Sequence, residues 1–249
     1  MSGFLSGRTS LTTVQTADIA DNAISLAKLA HGTASQNIAY DSGGVPVDVA
    51  LASSGLASQQ VFTSSGTWTK PSGITLVKVI VVGGGGGAGG NASGANKNAG
   101  GGGGGGTAIE VIDVTGTSSE TVTVGAGGAG GSVGSAGNAG ATSSFGSLCS
   151  ATGGGLGAVG GTKDLGVAGG VGSGGDINLD GGRGGSPNSV DTTANFGPGG
   201  DSFLGQGGPP NLDTSDSAAG TGYGGGGTGG WNQTGGAGSG GIVIVEEYK

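Results

Sequence analysis

The chain has 249 residues, 68 of them glycine, with 8 basic against 16 acidic side chains, a formal charge of −8 and a single cysteine. Glycine at about four times the roughly 7% of an average protein leaves too few side chains for an ordinary core over most of the chain. The acidic balance, without any basic run, excludes electrostatic binding of nucleic acid. Lone Cys149 excludes an intramolecular disulfide or a thiolate zinc cluster, and no apolar run approaches the roughly 20 residues of a membrane span.

Composition divides the chain into a segment 1–60, rich in Ala, Ser and Thr, and a glycine-rich segment 61–249. Met1 to Ser10 lacks the basic start and apolar stretch of a secretory signal. From Thr16 to Ala30, Ile19, Ala23, Leu26 and Ala30 recur at helical spacing with Asp18 placed to cap, which predicts a short α-helix. So narrow a stripe is marginal alone, so these four residues are expected to drive self-association. Ile38 to Val49 alternates around Ser42-Gly43-Gly44, a hairpin pattern, and Leu51 to Gln60 reads as a connector.

Val61 to Pro71 predicts two short strands about a turn at Gly66. The β-branched run Ile74 to Val82 predicts a strand, and further strands are expected at Thr107 to Val114, Glu120 to Val124 and Ile242 to Glu247. Between them run glycine tracts such as Gly83 to Gly87 and Gly100 to Gly106. Tracts interleaved with strands and aromatics read as structure and not as flexible linkers. The structured option is an extended helix of the polyglycine II type, the glycine form of polyproline II, with three residues per turn and no internal hydrogen bonds. Neighbouring helices then satisfy one another's backbone groups where no side chain intervenes. The tracts lack a strict three-residue sequence repeat, which excludes a collagen triple helix. The expected fold is mainly β with polyglycine II-type helices, preceded by the short helical segment.

Glycine offers nothing to recognise, so recognition is assigned to loops between tracts: Asn195, Phe196, Phe203, Leu204, Pro209, Pro210, Asn211 and Leu212 within Asn195 to Asp216, and Tyr223 and Trp231 beyond it. The competing reading is that the aromatics only cover the bundle's ends.

Phe62 to Pro71, then Val77 to Gly87, Val122 to Gly131, Ala141 to Gly146 and Gly235 to Glu246 form an ordered series. It resembles the glycine-rich domain of bacteriophage tail and fibre proteins, over residues 61–249. Asp18 to Ala30 is similar to segments of phage fibre shafts and attachment regions. In composition the tracts are similar to fibre-tip adhesins of T-even-type phages, in which glycine-rich helices stack and end loops bind an outer-membrane receptor. The resemblance implies a virion protein exposed to the exterior and homotrimeric. It would be attached to other tail proteins through its N-terminus, with a bacterial surface receptor, saccharide or outer-membrane protein, as its partner.

Catalytic constellations are absent from the sequence. His31 is the only histidine and lacks triad or metal partners. Gly-x-Gly-x-x-Gly matches arise from glycine content alone, and no Walker-type motif occurs. Ser173 to Gly182 faintly echoes a calcium-binding nonapeptide, but once, where that architecture stacks copies. No enzyme activity, cofactor or metal is expected. The rival functions are a purely structural spacer or collar and an ice-binding bundle, the latter disfavoured by the irregular tracts.

Overall fold

The structure, a computed structural model, describes residues 36–40, 46–50, 55–91, 99–159, 167–186, 197–210, 217–230 and 232–249. The chain divides into two units, Met1–Ser53 and Ser54–Lys249. In the first, β1 (Gln36–Tyr40) pairs antiparallel with β2 (Pro46–Ala50), Gln36 opposite Ala50 and Tyr40 opposite Pro46, where the sequence predicts a hairpin. The predicted helix with Ile19, Ala23, Leu26 and Ala30 lies outside the described residues, as does the turn at Ser42 to Gly44. Among the described residues there is no α-helix.

The second unit holds β3 (Leu56–Phe62), β4 (Gly66–Thr69), β5 (Leu76–Val82), β6 (Thr107–Asp113), β7 (Ser119–Thr123), β8 (Ser143–Phe145), β9 (Cys149–Ala151), β10 (Gly172–Ser173), β11 (Ile177–Leu179), β12 (Leu204–Gln206), β13 (Thr221–Tyr223) and β14 (Ile242–Tyr248). They form antiparallel sheets ordered β11-β6-β5-β14-β3 and β10-β9-β8-β7-β4, with β12-β13 as a separate pair. Period-two alternation explains the inner faces: Val77, Val79 and Val81 of β5 are buried while Lys78 and Ile80 face the other way. With Val243, Val245, Val122, Phe145 and Trp68 they form one core. Each such side chain contributes roughly 1.5–3 kcal/mol on burial. Trp68 and Phe145 pack tilted, ring centroids 5.5 Å apart.

The sequence reads Leu51 to Gln60 as a connector, but β3 begins at Leu56 and pairs along the outer side of β14. Ser58 and Gln60 stand where an inward apolar residue would have revealed the strand; they face a buried carboxylate instead. Strands β8 to β13, of two or three residues each, are too short to leave a periodicity in sequence.

Between strands run twelve extended segments, 83–91, 99–106, 124–132, 136–142, 152–159, 167–171, 180–186, 197–202, 207–210, 217–220, 225–230 and 234–241, counted among the described residues. Their backbone bonds repeat every third residue. Gly83, Gly86 and Gly89 donate to Gly106, Gly103 and Gly100 at 3.0, 2.8 and 3.0 Å. Gly84, Gly87 and Gly90 donate to Ala141, Asn138 and Ser135, and Gly85 and Ala88 to Ser239 and Gly236. One segment is thus bonded to three neighbours, and the falling partner numbers make each antiparallel to it. Segment 99–106 does the same: Gly100, Gly103 and Gly106 reach Ala158, Gly155 and Thr152, Gly101 and Gly104 reach Gly185 and Gly182, and Gly102 and Gly105 reach Gly227 and Gly224.

Segments 83–91, 99–106 and 225–230 are buried throughout. On the periphery burial also has period three: Gly125, Gly128 and Gly131 are buried while Ala126 and Ala129 are exposed. Gly86 and Gly128 do not adopt positive φ, so space and not backbone freedom requires glycine there. A Cβ on Gly86 would overlap the carbonyl oxygen of Gly155, and one on Gly128 that of Asn138.

Candidate functional site

The segments have two unlike ends. At one end they run into strands: 83 follows β5, 106 precedes β6, 124 follows β7, 142 precedes β8, 152 follows β9, 171 precedes β10, 180 follows β11 and 241 precedes β14. At the other end Gly89 is bonded to Gly100, Gly230 to Gly89, Gly229 to Gly197, Gly100 to Ala158, Gly101 to Gly185, Gly90 to Ser135 and Gly235 to Gly131. The points where the chain leaves the described residues, at 91, 159, 186, 210 and 230, therefore fall at the end away from the sheets, beside the turn at 132–135. Pro209 belongs to the same end, its carbonyl accepting 2.8 Å from the Thr228 hydroxyl.

The sequence-predicted contact residues divide between these ends. Phe203, Leu204 and Tyr223 lie at the sheet end, on and beside the β12–β13 pair, where Leu204 stands opposite Tyr223. Phe203 is 52% exposed and Tyr223 36%. A shallow depression of about 350 Å³ there is lined by Asp201, Phe203, Leu204, Gln206 and Thr221. Pro209 and Pro210 are exposed near the opposite end. Asn195, Phe196, Asn211, Leu212 and Trp231 lie outside the described residues.

Asn195 to Asp216, read from sequence as one loop, is not one. Residues 197–210 within it are two glycine segments joined by β12, and Gly199, Gly200 and Gly208 donate to Gly208, Gly102 and Gly226. Its glycines stand singly or in pairs, interrupted by Pro198, Asp201 and Phe203, so the stretch reads as a loop although they are placed for backbone contact.

The most deeply held acid is one the sequence did not single out. Glu247, fully buried on the inner face of β14, accepts from Trp68 Nε1 and Gln60 Nε2, each at 2.7 Å, and from the Ser58 hydroxyl. Its only sequence signal is parity, since it falls in step with Val243 and Val245. Three donors make it a structural clamp on β3 and β4. Buried Cys149 has its thiol pushed up to about 11 by burial and by neighbouring Glu110, so it is no nucleophile near neutral pH. In Ser173 to Gly182, Asn178 Oδ1 accepts from Gly175 N–H at 3.1 Å and closes the β10–β11 turn, while Asp176 Oδ2 accepts from Val111 N–H at 3.2 Å and ties that turn to β6. Among the described residues no group of three His, Cys, Asp or Glu is placed to hold a metal, and no helix is long and apolar enough to cross a membrane.

Residues 60–248 match a family described as a glycine-rich domain. No curated protein matches the chain.

Proposed function

The chain belongs to the glycine-rich domain family, and on that premise we propose that it is a phage tail-fibre or fibre-tip protein that carries a host-binding surface at the loop end of its glycine bundle. In this reading the twelve segments are polyglycine II-type helices. What supports it is the three-residue repeat of backbone bonds to three different neighbours, which a three-fold extended helix produces and a β-strand, with two hydrogen-bonding directions, does not. At about 3.1 Å per residue, eight residues span roughly 25 Å. The bundle is then a rigid stalk with the β-sheets at its base.

The observation that carries the functional reading is the sorting of ends: strands collect at one end, and the sequence-diverse stretches 92–98, 160–166, 187–196 and 211–216 all depart from the other. A backbone-bonded stalk tolerates change in such stretches without loss of its own hydrogen bonds, which suits a surface that must vary with its target. The segment 1–60 would dock to the tail and associate with further copies, and the bacterial partner would be a saccharide or an outer-membrane protein. A purely structural spacer is the second reading, favoured by the same rigidity.

The test is adsorption of the purified full chain to susceptible and resistant cells, beside a variant in which 187–196 and 211–216 are replaced by Gly/Ser linkers of equal length. Selective binding lost in the variant is expected. Equal binding by both, or none by the folded full chain, would favour the spacer.

A further inference from the structure

The outer face of the sheet β11-β6-β5-β14-β3 carries an apolar row that the fold leaves uncovered within the second unit. Register places Ile177, Ile109, Ile80, Ile244 and Val61 side by side across all five strands. All five face away from the core, and the ends of the row are open, with Ile177 51% and Val61 52% exposed. Such a row is not required by the sheet itself, whose stability comes from the opposite face. The next row carries an ion pair: Gln59, Glu246, Lys78 and Val111 lie side by side, with Lys78 Nζ 3.3 Å from Glu246 Oε2.

We propose that this face packs against the same face of a second copy of the chain, about a two-fold axis running along the strands between β5 and β14. That axis sets Lys78 opposite Glu246 of the second copy and the reverse, Ile80 opposite Ile244, and Ile109 opposite Val61, so apolar meets apolar and each charge meets its opposite. An axis along β5 itself would set Lys78 against Lys78, and is disfavoured for that reason. Elsewhere a net charge of −8 opposes contact between copies; in these two rows the only charges are one of each sign.

The size is sufficient. The four strands that overlap about this axis, β6, β5, β14 and β3, stand about 4.8 Å apart and run some 23 Å, which gives roughly 450 Å² per copy or about 900 Å² in total, the size of a weak and reversible contact. An apolar row bordered by charged and polar side chains is the arrangement of a contact site. Sheets packed in this way stand about 10 Å apart, the distance at which Ile and Val side chains interdigitate. The contact is independent of the host-binding reading and of the three-fold association expected of the N-terminal segment, because it doubles whatever mass that segment sets, from one chain to two or from three to six.

Sedimentation equilibrium of the full chain tests it. The wild type should show a reversible doubling of mass, from one chain to two or from three to six. Lys78→Glu and Glu246→Lys, each alone, should raise the dissociation constant about tenfold or more, since each sets like charges face to face. An equimolar mixture of the two variants should restore the doubled mass in a mixed species, which an effect on the pair within one chain would not do. Val61→Asp, at an exposed position that does not endanger the fold, should dissociate the pair as well. A wild type monomeric at all concentrations, a three-chain mass unmoved by these substitutions, or a mixture that stays dissociated would overturn the proposal.

Discussion

Trp68 Nε1 donates a 2.7 Å hydrogen bond to Glu247 Oε1, joining the edge strand β4 of one sheet to the interior strand β14 of the other through two fully buried side chains. Ser58 and Gln60 on β3 direct their donors at the same carboxylate. Glu247→Ala would strand the indole donor in the interior and leave the half-buried Gln60 amide without its acceptor, a cost of about 3 kcal/mol. We expect a melting temperature lowered by at least several degrees, with a smaller loss for Glu247→Gln, which keeps one acceptor. Calorimetry checks both, and tryptophan fluorescence reports the release of Trp68.

The bundle makes a sharper prediction, because glycines of identical chemistry should differ completely in tolerance. Gly86→Ala and Gly128→Ala drive a methyl group into backbone carbonyl oxygens that are themselves hydrogen-bonded and cannot retreat. Each should cost about 3 kcal/mol or more, at the upper end for single substitutions, or prevent folding. Gly116→Ala meets nothing within 4 Å and Gly240→Ala only an atom at 3.9 Å, so both should stay within about 0.5 kcal/mol of the parent. Denaturant midpoints of the four variants decide it; equal effects would contradict close backbone packing.

Cys149 should be silent to thiol reagents at pH 8 until the protein is denatured. Burial raises its pKa in the folded protein to about 11, above the 9.0 of an unburied thiol. The protonated thiol is therefore favoured by folding: its stabilisation is complete below pH 9 and is lost as pH rises from 9 to 11. Cys149→Ala should remove that part of the alkaline loss, at most roughly 2–3 kcal/mol, visible as a shallower fall of stability over this window.

Separation of the predicted contact residues between two ends gives a test by substitution. Under the loop-end reading, Phe203→Ala and Tyr223→Ala, both at the sheet end, should leave host adsorption within about twofold of the parent, since exposed residues outside a contact contribute little to it. A tenfold loss from either would move the binding surface to the β12–β13 pair and its depression.

Much of the β framework was legible in the chain. The β-branched run at Leu76–Val82 and the terminal Ile242–Tyr248 declare themselves because period-two burial demands alternation, and glycine content alone indicated that side-chain packing could not hold the rest. Residue types likewise carried the expectation of no metal site, nucleotide site or intramolecular disulfide. What only tertiary structure decided is which backbone meets which: that Gly86 bonds Gly103 while Gly87 bonds Asn138, that Asn195 to Asp216 contains two segments and a strand, and that Phe203 and Pro209 part company. The physical reason is that glycine specifies partners by the absence of a side chain, and one glycine is sequence-identical to the next. Their addresses are set by the lengths between strands and by the few residues, such as Trp68 and Glu247, that can be packed in only one way.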